Sequence, residues 1–294
     1  MHNEGPTEKR ADVNGVELTY FEWAGEPNDG EPTILLAHAT GFHARCWDQV
    51  ISRLAAIEGN APHVIALDQR GHGRSSRVKI ANWQVMGEDL AAFADALDLR
   101  DAIGVGHSMG GHALVDAAAA CPSRFARLVL IDPIINSPAY FSSIDSQPDE
   151  MHPAAKRKRY FDSPEAMFER FKDRPPFSSF DPAVLHDYCR FGLLQLSNGD
   201  RFELACPPEI EAGIYMAMGK NTGIYDSVRS LAIPVRILRP HNPARGPNRS
   251  SPTWHELVHE FKHAHEIRLE GHTHFLPMEA PELVAKLILQ ERDD

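Results

Sequence analysis

The stretch GVGHSMGGHAL, from Gly104 to Leu114, decides the fold of this chain. A short apolar run, AIGVG, leads into Ser108, and an alanine-rich run with helical periodicity follows it. The pattern predicts a strand, a tight turn and a helix, with Ser108 at the turn as in a nucleophile elbow. Gly106 and Gly110 suit such a turn because neighbouring chain comes too close for larger side chains. The alternative interpretation is a glycine-rich turn with an incidental serine.

The rest of the chain alternates apolar runs with segments of helical periodicity. The apolar runs are PTILLAHA, HVIALD, RLVLID and IPVRILR, and HEIRLEG is the last predicted strand. Runs without polar alternation are typical of strands buried on both faces of a parallel sheet. Helices are predicted over WDQVISRLAAIEG, NWQVMGEDLAAFADALDL and TWHELVHEFKHA, and Asn14-Gly15 predicts a hairpin ahead of them. The sequence therefore predicts an α/β fold with a mostly parallel, doubly wound sheet.

One region, from Pro133 to Arg229, breaks this alternation. It contains many prolines, short helical patterns such as SPEAMFERFKD, and 13 of the chain's 20 Phe and Tyr residues. A structureless loop of that length is implausible inside a compact domain. We interpret 133–229 as a helical cap inserted after the sixth strand, and 1–132 with 230–294 as the core. The aromatic residues of the cap would face a substrate cavity or form the cap's own small core.

Composition argues against several classes of function. The 294 residues carry a formal net charge of −11, which disfavours binding to nucleic acid. No window approaches the ~20 consecutive apolar residues that span a membrane, and the polar start MHNEGPTEKR lacks a signal-peptide pattern. Four scattered cysteines are typical of reduced thiols. We expect a cytoplasmic protein that acts on a small molecule, and the sequence leaves its oligomeric state open.

Two further motifs accompany the serine turn. They are DQRGHGRS at 68–75 and GHTHFLPMEAPELV at 271–284. With GHSMG at 106–110 and the loop HATGF at 38–42, they resemble the α/β-hydrolase superfamily over nearly the whole chain. The resemblance implies the α/β-hydrolase fold, a helical cap, a Ser-acid-His triad in that chain order, and no cofactor. It does not fix the substrate, because this fold hosts many chemistries.

A nucleophilic serine also needs hydrogen-bond donors for the oxyanion that develops during the reaction. The N–H of Met109, the residue after the nucleophile, is one candidate, and the N–H of Thr40 in the HATGF loop is the second. Phe42, Trp47 and His107 are candidates for substrate contact. Phe42 and Trp47 fit the hydrophobic core equally well.

The general base has two candidates, His272 and His274, because it must follow the last strand on a loop that returns to the serine. In the matching family loop the histidine directly precedes an aromatic or apolar residue, upstream of Glu-x-Pro-Glu. HFLPMEAPE fits that register at His274, so His274 is the preferred base and His272 a loop-shaping neighbour.

A rival motif for metal chemistry lies nearby. HELVH, from His255 to His259, is a literal H-E-x-x-H, the helical zinc-binding pattern of metalloproteases. We predict it on an outer helix that joins two strands, where a buried cleft for catalytic zinc is not expected. The sequence therefore predicts no metal site.

The triad acid departs from the most common family pattern. In many members a carboxylate follows the strand equivalent to IPVRILR, but here the continuation RPHNPARG contains none. Asn242 in that segment could orient a histidine without stabilising its charge. The superfamily's second location is the end of the preceding strand, where Asp132 follows RLVLI. Asp132 is the predicted acid, and a turn-capping role before Pro133 is the alternative.

These residues predict a serine hydrolase for a small carboxylic ester or a lactone. One alternative keeps the triad and cleaves a carbon–carbon bond in a ring-fission diketone. Such substrates are anionic, so that alternative requires cations such as Arg190 or the KRKR run at 156–159 near the serine. The other alternative is a binding protein that keeps the fold without turnover, which the missing carboxylate after IPVRILR favours.

Overall fold

The computed structural model describes residues 5–23, 32–58, 62–142, 152–197, 199–241 and 251–290. Within these ranges the strands are β1 Thr7–Val13, β2 Val16–Trp23, β3 Ile34–Ala37, β4 Val64–Leu67, β5 Ala102–His107, β6 Phe125–Ile131, β7 Tyr160–Phe161, β8 Leu193–Gln195, β9 Phe202–Leu204, β10 Val235–His241 and β11 Ala264–Glu270. The α-helices are α1 Asp48–Glu58, α2 Gln84–Ala96, α3 Met109–Ala120, α4 Pro138–Ser142, α5 Pro164–Phe171, α6 Pro182–Phe191, α7 Pro208–Ala217, α8 Ile224–Ser230, α9 Leu276–Glu279 and α10 Pro281–Leu289.

Eight of the described strands form one sheet in the order β1-β2-β4-β3-β5-β6-β10-β11. The pairs β1–β2 and β2–β4 are antiparallel, and the remaining pairs are parallel. Every residue of β3, β4 and β5 is buried, because helices cover both faces of these central strands. The predicted hairpin is present, with positive φ at both Asn14 and Gly15. The predicted fold class, a mostly parallel α/β sheet, is confirmed.

The helices form a layer on each face of the sheet. On one face α1 and α10 pack together and bury Val50, Leu54 and Ile288. On the other face α2, α3 and α8 enclose a second core that contains Phe93 and Leu114. The carboxyl ends of β3, β5, β6 and β11 meet at one edge of the sheet, the edge where ligands collect in open α/β folds.

The segment between β6 and β10 lies outside this alternation, and it is not purely helical. Besides helices it contains a small antiparallel sheet, in the order β7-β9-β8, whose strands are two or three residues long. Such short strands leave no readable period in the sequence. The helix α8 packs on α3 with Ile224 and Val228 in the core of the main sheet, so by packing it belongs to the core. The predicted cap ends at Arg229 and so includes most of α8, which packs with the core.

The predicted helix over TWHELVHEFKHA is wrong. The structure has only a 3₁₀ turn at Leu257–Glu260. Contacts with a distant part of the chain hold the start of this segment out of a helical conformation. The Trp254 amide donates to the Ile135 carbonyl at 3.1 Å, and the Thr253 hydroxyl lies 2.7 Å from the Pro133 carbonyl. His255 and His259 therefore do not share a helical face. In the described ranges, no cluster of three or more His, Cys, Asp or Glu side chains is suited to holding a metal ion.

The described helices are short or carry polar faces. None of them combines the length and apolar character needed to cross a bilayer.

Candidate active site

Ser108 lies between the end of β5 and the start of α3, in the strained conformation of a nucleophile elbow. Its φ of 58° and ψ of −116° are unusual for a residue with a side chain. The turn is fixed from both sides, because the Ser108 amide donates to the Ile131 carbonyl at 3.0 Å and the Ser108 carbonyl accepts from His112 and Ile134 at 3.2 Å. This geometry aims the Ser108 hydroxyl at the carboxyl edge of the sheet.

The site brings the three predicted triad residues together. The Nε2 atom of His274 lies 3.0 Å from Oγ of Ser108. The Nδ1 atom of the same ring lies 2.7 Å from Oδ2 of Asp132. His272, the alternative base, instead has its Nδ1 atom 3.8 Å from a carboxylate oxygen of Glu279. The geometry therefore joins Ser108 to Asp132 through His274.

Asp132 is fully buried at the end of β6, and its own backbone turns the side chain toward the histidine loop. Its φ is 43°, and its amide donates to the Leu238 carbonyl of β10 at 2.9 Å. Two hydroxyl groups, from Ser251 and Thr253, bond the oxygen that faces away from His274. Sequence reasoning missed these two residues. The only sequence signal for them is that two hydroxyl residues follow RPHNPARG, the segment that lacks the usual acid.

The two predicted oxyanion donors lie side by side at this edge. The Thr40 hydroxyl donates to Sδ of Met109 at 3.3 Å, which holds the loop after β3 against the start of α3. In the described part of the chain, the amides of Thr40 and Met109 donate no hydrogen bond. Met109 is the first residue of a 12-residue helix, so its free N–H also carries the positive end of the helix dipole. Both amides can therefore serve as donors to an anion.

Buried histidines, which sequence reasoning missed, hold the loop that carries Thr40. Nε2 of His38 accepts the Gln69 amide at 3.0 Å, and Nε2 of His72 accepts the Gly41 amide at 3.0 Å. The carboxylate of Asp68 accepts the amides of Ala44 and Arg74 at 2.7 and 2.8 Å. The DQRGHGRS motif thus serves as a scaffold for the oxyanion loop.

These histidines are uncharged, because burial penalises the imidazolium. Burial lowers the pKa of His72 to about 4 and that of the neighbouring His43 to about 3. It also lowers the pKa of His38 and His107 well below the usual value. A neutral ring can accept one hydrogen bond and donate another, as the contacts of His38 and His72 require.

The neutral histidines predict a loss of stability in acid. Below pH 6.5 the unfolded chain binds protons at these four residues that the native state excludes, so the free energy of unfolding falls as the pH falls. Each of these histidines lowers the free energy of unfolding by about 1.4 kcal/mol for every pH unit of acidification. Asp48 and Asp68 oppose the trend between about pH 6 and 4, because burial raises the pKa of each to about 6. The four histidines outnumber these two carboxyl groups, so the free energy of unfolding still falls as the pH falls.

Urea unfolding of the wild type and two histidine variants between pH 7.5 and 4.5 tests this slope. His43→Gln is expected to reduce it by about 1.4 kcal/mol per pH unit. His259 is exposed, so His259→Gln is the matched control and is expected to keep the wild-type slope. Equal slopes in all three proteins would contradict the prediction.

The three predicted substrate contacts differ in their surroundings. Trp47 is fully buried in the core between the sheet and α1, so the pocket-lining role is wrong and the core role is correct. His107 is also fully buried, and its Nε2 atom donates to the His274 carbonyl at 2.7 Å. That bond supports the histidine loop and leaves the ring no access to substrate. Phe42, with 8% of its surface exposed, lies where the cap meets the core, 5.2 Å from Tyr188 and 6.1 Å from Phe275 between ring centres.

Comparison with known proteins fixes the family. The sequence profile of the alpha/beta hydrolase family matches residues 34–287. The chain belongs to the alpha/beta hydrolase family. The chain is 33% identical to the non-heme chloroperoxidase of Streptomyces lividans over 138 residues, which are 46% of this chain and 47% of that protein. The match therefore spans about half the length of that relative.

Solved structures carry the same fold along almost the whole chain. E-2-(acetamidomethylene)succinate hydrolase superposes with a TM-score of 0.73 at 20% identity, covering 96% of this chain and 97% of that one. The enol-lactonase of Burkholderia xenovorans LB400 superposes with a TM-score of 0.64 at 22% identity, covering 96% and 98%. At these identities the likeness establishes the fold and leaves the substrate to the site itself.

Proposed function

We propose that this hydrolase is a serine hydrolase that cleaves a small, uncharged carboxylic ester or lactone through an acyl-enzyme. The observation that carries the proposal is the continuous contact from Ser108 Oγ to His274 Nε2 at 3.0 Å and from His274 Nδ1 to Asp132 Oδ2 at 2.7 Å. A serine hydroxyl is a weak nucleophile unless a positioned base takes its proton. A base that bonds both the hydroxyl and a buried carboxylate meets that need.

The chemistry follows from the positions of these groups. Ser108 attacks the carbonyl carbon while His274 takes the hydroxyl proton, and the Thr40 and Met109 amides stabilise the oxyanion. The resulting imidazolium protonates the leaving alkoxide, and the carboxylate of Asp132 stabilises its positive charge. Water then attacks the acyl-enzyme, with His274 as its base, and releases the acid. The reaction requires no cofactor, and we expect a cytoplasmic enzyme.

Ion pairing of the cap arginines favours an uncharged substrate. Arg157 bonds Glu211 at 2.5 Å, and Arg159 bonds Glu203 at 2.6 Å. Arg190 is exposed, with its guanidinium 5.2 Å from the centre of the Phe191 ring. A cation that is already paired with a carboxylate attracts an anionic substrate poorly. The pairing of Arg157 and Arg159 therefore weakens the case for cleavage of an anionic ring-fission diketone.

Aromatic side chains near His274 support an apolar group on the substrate. Between ring centres, Phe42 lies 6.2 Å from Phe180 and 6.1 Å from Phe275. The centre of the Phe275 ring lies 5.6 Å from that of His274. Aromatic surfaces next to a few polar groups are typical of small-molecule sites. An ester with an apolar acyl or alkyl group fits this environment.

Covalent labelling with a fluorophosphonate probe, measured by intact mass, tests the proposal. We expect one adduct on the wild type and none on Ser108→Ala, because the probe reacts with an activated serine. A panel of uncharged esters and lactones, assayed beside a ring-fission diketone, is expected to show turnover of the uncharged compounds only. Absence of an adduct on folded wild type would favour the binding-protein alternative, and turnover of the diketone alone would favour carbon–carbon cleavage.

A further inference from the structure

We infer that Ser251 and Thr253 are positioning residues for the triad acid. Their hydroxyl groups hold Oδ1 of Asp132 and thereby fix the direction in which Oδ2 meets His274. The inference rests on the proposed function, because the position of Asp132 matters for turnover only if His274 is the base.

The buried carboxylate of Asp132 needs hydrogen-bond donors from the protein. Asp132 has no solvent-accessible surface, so water cannot solvate the oxygen that faces away from His274. A buried carboxylate oxygen without donors is costly, and it leaves the side chain free to rotate about its last torsion. Hydroxyl groups from Ser251 and Thr253 supply both the missing donors and the missing restraint.

Ser251 and Thr253 each have a hydroxyl proton to donate to Asp132. The Ser251 oxygen accepts the Thr253 amide at 3.2 Å, so its own hydroxyl proton is left for Asp132. The Thr253 hydroxyl has two acceptors at 2.7 Å, Oδ1 of Asp132 and the Pro133 carbonyl. The charged carboxylate is the stronger acceptor of the two. Both hydroxyl groups are therefore arranged as donors to the acid.

The segment that carries these residues is held in place by a backbone hydrogen bond to the chain after Asp132. Thr253 is 5% exposed, and the next residue, Trp254, donates its amide to the Ile135 carbonyl at 3.1 Å. The segment 251–254 thus runs along the chain that leaves Asp132. Donors on a fixed segment can hold a carboxylate to the small tolerance that catalysis requires.

The test compares Thr253→Val, which keeps the shape of the side chain, with Thr253→Ser, which keeps the hydroxyl. We expect Thr253→Val and Ser251→Ala each to lower kcat on an uncharged ester about tenfold with KM nearly unchanged. Thr253→Ser is expected to retain the wild-type kcat. Urea unfolding of each variant identifies any loss of fold, and Thr253→Ser keeps the test informative if Thr253→Val is unstable.

A double-mutant comparison separates this inference from the proposed function. If the hydroxyl acts through the carboxylate, Thr253→Val should cause no further fall in kcat in the Asp132→Asn background. An equal fall in both backgrounds, or wild-type kcat in Thr253→Val and Ser251→Ala, would overturn the inference and leave the triad standing. Full activity of Asp132→Asn itself would overturn the triad assignment and this inference with it.

Discussion

Replacing Asp132 by asparagine is expected to lower kcat by about four orders of magnitude while leaving the fold intact. The amide is neutral, so it cannot stabilise the positive charge that His274 acquires when it takes the serine proton. The two side chains have nearly the same shape, so packing at this fully buried position changes little. The expected effect is therefore on the chemical step rather than on folding.

The surroundings of Asp132 also influence the tautomer of His274 in this variant. Ser251 and Thr253 donate to the Oδ1 side, which favours the amide oxygen there and leaves the NH₂ group facing His274 Nδ1. That arrangement requires Nδ1 to accept a hydrogen bond, so the ring proton moves to Nε2. A ring protonated on Nε2 cannot take the proton of Ser108.

The measurement is kcat on an uncharged ester together with the rate of fluorophosphonate labelling. Asp226 is an exposed carboxylate on α8, so Asp226→Asn makes the same chemical change away from the site and is expected to keep wild-type rates. Circular dichroism and urea unfolding should be similar for the wild type and both variants. Rates near wild type in Asp132→Asn would show that another residue acts as the acid.

The parts of the site that are formed by residues close together in the sequence were predictable. The run before Ser108, the two glycines and the helix after it lie within a dozen residues, and each feature constrains the next. Asp132 and His274 were predictable for a different reason. The resemblance to the α/β-hydrolase superfamily supplied both positions, and the parallel sheet is consistent with them because β5, β6 and β11 end at the same edge.

The supports of the site could not be predicted, because they depend on contacts between segments far apart in the chain. Thr253 and Asp132 are hydrogen-bonded but lie 121 residues apart in the sequence, and His38 and Gln69 lie 31 residues apart. No periodicity or spacing encodes such pairs. The same tertiary contacts explain the failed helix after Trp254, where the bond to Ile135 overrides a pattern that locally favours a helix.

Replacing Gly110 by alanine is expected to reduce the free energy of unfolding by about 3 kcal/mol or more. A Cβ atom at position 110 would lie 2.2 Å from the Ala37 carbonyl oxygen and 2.5 Å from the Ala37 carbonyl carbon. These are backbone atoms at the end of β3, a strand paired on both sides, so they cannot move without disturbing the sheet. The close approach of α3 to β3 thus requires glycine at this position.

The same substitution should also damage the oxyanion donors, because Gly110 follows Met109 and packs against the Ala37–His38 backbone that leads to Thr40. Any shift that relieves the clash moves the start of α3, with Met109, away from the loop that carries Thr40. Urea unfolding and the fluorophosphonate labelling rate measure the two effects separately. Gly213→Ala in α7 is the control, since an added Cβ meets no atom within 4 Å there and should add up to about 1 kcal/mol of stability. If Gly110→Ala kept both the stability and the labelling rate of the wild type, the packing of α3 against β3 could not be what holds the two oxyanion donors together.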